Sequence, residues 1–168
     1  MHTTAHTHWT ALAYHEAGHL AIACHYGLPV GTVTIHADGA ETPHRHSALP
    51  LDASVARGSA GGFETLNLIT CLVAGAIAEE RYTGDLNVDI AEQDHEQAWR
   101  LSVEVADTDR GAAALMNWLT IRAEQDVNRL WNEITAIAAL LMSEGSVTPE
   151  QARQVAREMD RRRTARRE

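Results

Sequence analysis

The chain has 168 residues, a net charge of −9, and 45% hydrophobic and 22% charged residues. These values describe one globular domain rather than a disordered segment. No run approaches the roughly 18 uninterrupted apolar residues of a membrane span, and the acidic balance argues against nucleic acid as the main partner.

Residues 1–10 read as a flexible tail, with His2, His6 and His8 solvated. They lack a basic start followed by an apolar stretch, so no signal peptide is expected and a cytoplasmic location is the default. Thr7 or Thr10 can cap a first helix, which runs to about Tyr26 and is stopped by Gly27 and Pro29.

That helix carries Tyr14-His15-Glu16-Ala17-Gly18-His19, an H-E-x-x-H pattern. At about 3.6 residues per turn, His15 and His19 fall on one face and can bind one Zn²⁺. Glu16 is placed to take the proton of a metal-activated water and pass it to a leaving amine. The flanks (Leu12, Ala13, Leu20, Ala21, Ile22, Ala23) are apolar, so the helix is expected to be buried. Two buried imidazoles and a carboxylate need partners, and a metal supplies one. Gly18, unfavourable in mid-helix, predicts close packing there.

Val30–Ile35 alternates and is β-branched, which predicts a strand. An edge strand beside the metal helix could hold a substrate in extended form. Residues 36–60 read as a loop, with His36, His44 and His46 solvated rather than metal-bound. A second helix is predicted from about Gly62 to Tyr82, with Phe63, Leu66, Ile69, Val73 and Ile77 at helical spacing. Around Gly75 it is apolar on all sides, hence central. It ends with Glu79 and Glu80, either of which could orient a metal ligand, before the stop at Gly84.

Asp85, Asp89, Glu92, Asp94 and Glu96 form the densest acidic cluster downstream of a zinc motif that still lacks a third protein ligand. A third helix starts among them, at Ile90 or Asp94, and runs to Ala106. Asp107 or Asp109 can cap a long helical tract to about Ser143, one helix or two, with an apolar stripe of Leu115, Trp118, Leu119, Leu130, Ile134, Ile137, Leu140 and Leu141. Trp118 and Trp131 read as core residues. After Gly145, Thr148-Pro149-Glu150-Gln151 has the cap, proline and glutamine of a helix start. Residues 159–168 read as a frayed basic tail, leaving 11–158 as the domain. All 14 basic residues are Arg, and Cys24 and Cys71 read as buried thiols.

Several stretches together resemble the protease domain of the FtsH family, the membrane-anchored AAA zinc proteases. They are His15-Glu16-Ala17-Gly18-His19, Val33-Thr34-Ile35 with Leu49-Pro50-Leu51-Asp52, the small-residue helix Leu72–Glu80, Asp94-His95-Glu96-Gln97-Ala98, and a C-terminal pattern through Val147-Thr148-Pro149-Glu150. The similarity spans about Ala11 to Ala156. It implies a mainly α zinc-peptidase domain with a short strand or hairpin after the motif helix. It further implies His15, His19 and Asp94 as ligands, Glu16 as general base, and Glu79 as an acid orienting a ligand histidine. Gln93 stands where the family usually has Asn, so Asp89 stays open as the alternative ligand. No G-x-x-x-x-G-K-[ST] occurs, so the family's motor is absent from the sequence. The expectation is a zinc endopeptidase acting on unfolded or flexible segments, as a homo-oligomer (a hexamer by resemblance) or with a separate ATPase. The alternative is a low-turnover, metal-holding interaction subunit. A third reading makes Glu79 or Glu80 the remaining ligand of a different zincin lineage.

Overall fold

In a computed structural model of the chain, the described residues are 3–36, 44–46, 62–85 and 88–165, with side chains described over 8–35, 63–85 and 91–165. The element order is α1 (Thr3–Tyr26), β1 (Val33–His36), β2 (His44–His46), α2 (Gly62–Thr83), α3 (Val88–Ala106), α4 (Asp109–Arg129), α5 (Trp131–Glu144), β3 (Ser146–Val147) and α6 (Pro149–Ala165). The chain is mainly α with a short antiparallel sheet, as the sequence predicts.

Helix α1 lies between two groups. On one side α2 packs on it and is backed by α3 and α4; on the other sit α5, α6 and the sheet. The core divides accordingly. One cluster joins α1 to β1 and α5 through Leu12, Leu20, Ile22, Val33, Ile134 and Leu141. The other joins α2, α3 and α4 through Ile69, Leu72, Ala98, Leu101 and Leu119. The end of α1 is tied to α4 where the Tyr26 hydroxyl donates to Asp126, which also accepts from Arg129 Nη2 at 2.7 Å.

The helix stops follow the glycines. Gly27, Gly84 and Gly145 have φ of 67°, 77° and 74°, a left-handed conformation that L side chains rarely adopt. Gly145 does more than end α5. It turns the chain so that Ser146–Val147 runs along β1, and its carbonyl accepts the Ile35 N–H at 2.9 Å. The last helix opens on a reciprocal cap. The Gln151 N–H donates to Thr148 Oγ1 at 3.2 Å, and the Thr148 N–H donates to Gln151 Oε1 at 2.8 Å.

Several expectations need correction. Helix α1 begins at Thr3, so neither Thr7 nor Thr10 caps it; residues 3–10 contain no Gly or Pro to stop the helix from extending. The predicted edge strand is central, with β1 hydrogen-bonded to β2 on one side and β3 on the other. His36 ends β1 and His44 and His46 lie in β2, not in a loop, and their side chains fall outside the described ones. The tract after Ala106, left open as one helix or two, is two that break at Leu130, and its cap is neither Asp107 nor Asp109 but Thr108, whose Oγ1 accepts from the Gly111 N–H at 3.1 Å. The basic segment is helical through Ala165, with Arg162 paired to Glu158 one turn back and Arg163 reaching Glu133 on α5. Phe63 and Trp118 are 81% and 53% exposed, so their helical spacing does not place them in the core.

Candidate metal centre

His15, Glu16 and His19 are all fully buried, on the stretch of α1 that α2 covers. The two helices approach closely because both are built of small residues at the crossing. A Cβ on Gly18 would lie 2.7 Å from Ala78 Cβ and 2.8 Å from the Ala74 carbonyl oxygen. A Cβ on Gly75 would lie 2.3 Å from His19 Nε2. The packing predicted at Gly18 is therefore present, and Gly75 gives the His19 ring its room.

Three atoms converge in the space so formed. His15 Nε2 and His19 Nε2 are 3.0 Å apart, and Asp94 Oδ2 lies 3.1 Å from the first and 3.2 Å from the second. Asp94 crosses to α1 from α3, a helix that itself packs on α2 and α4. Its side chain is 13% exposed, so it is the solvent-facing member of the three.

The opposite edges of both rings are committed. His15 Nδ1 is 2.9 Å from Glu79 Oε2 and His19 Nδ1 is 2.8 Å from the Cys71 carbonyl oxygen. Both partners can only accept, so both Nδ1 atoms carry hydrogen. A neutral ring then presents a bare lone pair at Nε2. Two such lone pairs and a carboxylate oxygen facing one another at about 3 Å repel unless a cation or a proton lies between them. The donor set suits a metal. Two imidazole nitrogens and one carboxylate oxygen are ordinary zinc ligands, and a tetrahedral ion about 2.0–2.1 Å from each would space them about 3.3 Å apart. The observed triangle is within a few tenths of an ångström of that.

A proton on His15 can play part of the same role. Burial opposes charge on His15. Hydrogen bonds to Asp94 and Glu79 and the charges of Glu16 and Asp94 outweigh it and hold the imidazole up at about 9. The effect of Glu16 on His15 places its carboxylate in the same electrostatic environment as the ligands. Cys71 is a free, fully buried thiol whose pKa is pushed up, first by burial and then by the nearby Asp94 charge. Its Sγ–H donates to the His19 carbonyl at 3.3 Å, so Cys71 and His19 bond each other in both directions.

The structure thus brings together His15, His19, Asp94 and Glu79, with Glu16 beside them. Of the two aspartates left open, Asp94 reaches the histidines; the Asp89 side chain lies outside the described ones. Glu79 meets the Nδ1 edge of His15, away from the point of convergence, so it stands where an orienting acid would rather than where a third ligand would. Glu80, one residue on, is exposed. The sequence offered no sign of the Cys71 carbonyl, a backbone atom, and it marked Gly75 only as part of an apolar run. Among the described residues no helix is long and apolar enough to cross a membrane. Comparison with known proteins finds no family model that matches this chain and no curated protein similar to it.

Proposed function

We propose that this chain is a zinc metallo-endopeptidase of the kind found in FtsH-type protease domains, cleaving unfolded or flexible polypeptide segments. The observation that carries the proposal is the convergence of His15 Nε2, His19 Nε2 and Asp94 Oδ2 within 3.0–3.2 Å, next to the buried carboxylate of Glu16.

Zinc, when bound, supplies a Lewis acid for the scissile carbonyl and brings the pKa of a water down to roughly 7. The protein's own residues do the rest. Glu16 takes a proton from the attacking water as the new C–O bond forms, and returns it to the amine nitrogen as the C–N bond breaks. Glu79 and the Cys71 carbonyl hold the two rings as Nδ1–H tautomers, which leaves both Nε2 atoms available. In this reading the chain acts in the cytoplasm, either as a homo-oligomer or with a separate ATPase partner.

One observation favours the second reading, a metal-holding subunit with little turnover: His15, Glu16 and His19 are all 0% exposed. One experiment tests both. Hydrolysis of unfolded casein is measured for the wild type and Glu16→Gln at equal zinc content. The peptidase reading expects cleavage that falls at least about 100-fold in Glu16→Gln. Cleavage that survives in Glu16→Gln would overturn it. A fully zinc-loaded wild type without turnover would establish the second reading instead.

A further inference from the structure

A groove of about 790 Å³ lies between α2, α3 and α4 and has none of His15, His19 and Asp94 in its lining. Its floor is apolar, with Val73 and Ile77 from α2 and the half-buried Trp99 from α3. Its rim is acidic, with Glu80 from α2, Glu92 and Glu96 from α3, and Glu124 from α4. No Arg lines it. The four rim carboxylates are exposed, and among the described residues none of them is ion-paired. The fold therefore gathers four carboxylates around an apolar floor, and among the described residues His95 is the one titratable base that lines the groove with them.

We infer that this groove docks a cationic amphipathic helix of another protein, with its apolar stripe on the Val73–Ile77–Trp99 floor and its Arg or Lys side chains against the glutamates. The charges come from three helices, a spread that basic residues spaced along a peptide can match. The dimensions agree. The lining runs from Leu72 to Glu80 on α2 and from Ala91 to Trp99 on α3, which at 1.5 Å per residue is about 12 Å, or about two helical turns. That length takes apolar anchors at i, i+3 or i+4, and i+7. Glu92 and Glu96 each lie two residues from Asp94, about 200° around α3, so these two carboxylates leave the helix on the side opposite the Asp94 side chain, while Ala91 and His95 line the groove nearer to it. The inference does not depend on the chain being a peptidase.

The test is fluorescence anisotropy with a labelled synthetic helical peptide carrying leucines at that spacing and arginines on both flanks. The proteins are the wild type, a Glu92→Arg/Glu96→Arg variant, and Glu104→Arg as a control elsewhere on α3. Saturable binding is expected, weakened at least about tenfold in the double variant and unchanged in Glu104→Arg. Equal weakening in Glu104→Arg would reduce the effect to general attraction by an acidic protein and overturn the proposal. So would the absence of saturable binding. Self-association of the wild type that the double variant abolishes would show that a second copy's arginine-rich end is the occupant, and would overturn it too.

Discussion

Gly75 on α2 lies directly against the ring of His19 on α1, so closely that a Cβ at position 75 would sit 2.3 Å from Nε2, the candidate ligand atom itself. Gly75→Ala should displace the ring. The expected result is a zinc affinity at least about tenfold lower and a stability loss of about 1–3 kcal/mol from overpacking. Gly18→Ala strains the same helix crossing, but through Ala78 and Ala74 on α2 rather than through a ligand ring on the facing helix. It should lose stability by a similar amount, less the roughly 1 kcal/mol that alanine gains in helix propensity, with a smaller effect on zinc. Thermal unfolding and a competitive zinc titration on both variants separate the two effects. Equal zinc affinities in Gly75→Ala and wild type would rule out the seating role of Gly75.

Glu79 accepts from His15 Nδ1 at 2.9 Å with its own side chain 1% exposed. Glu79→Gln keeps an acceptor there but removes the charge that makes the ring a stronger donor to metal. Zinc affinity should fall by about 10–100-fold while the ligand stoichiometry stays the same. Glu79→Ala, which removes the acceptor, should lose more. If Glu79→Ala binds zinc as tightly as the wild type, the acid does not orient His15.

The raised pKa of His15, about 9 in the metal-free protein, has two consequences. At neutral pH the ring is protonated, and zinc must displace that proton to reach Nε2, so binding at pH 7 should release about one proton per ion from this residue. Calorimetry in buffers of different ionisation enthalpy measures it; a binding heat independent of buffer would contradict it. The folded pKa lies above the ordinary value of about 6.5. His15 therefore contributes to metal-free stability fully below about pH 6.5, and that contribution is lost as pH rises through about 9. The unfolding midpoint of the metal-free protein should fall across this window.

What could be read from the sequence was local. His15, Glu16 and His19 are related by helical spacing alone, and their burial follows from their apolar flanks. The ends of α1, α2 and α5 were marked by Gly27, Gly84 and Gly145, where backbone geometry demands glycine. Asp94 is one of five acids in a short stretch; spacing alone does not separate it from the others, the resemblance points to it with Asp89 left open, and the packing of α3 on α2 and α4 is what carries it to the histidines. The start of α1 was missed because a cap is a preference, whereas helix extension needs only the absence of a breaker. The position of β1 was missed because its second neighbour, β3, lies more than a hundred residues later in the chain. Phe63 and Trp118 have the spacing of core residues, but spacing cannot say which part of a stripe a neighbouring helix covers.

The convergence of His15, His19 and Asp94 predicts that together they hold one metal ion. The most direct measurement is zinc per chain, by elemental mass spectrometry after zinc addition and desalting, for untagged wild type, His19→Ala and Asp94→Asn. About one zinc per wild-type chain is predicted, and it should be lost in both variants while they remain folded. A folded wild type that retains no zinc would rule this metal centre out, and full retention in Asp94→Asn would remove Asp94 from it.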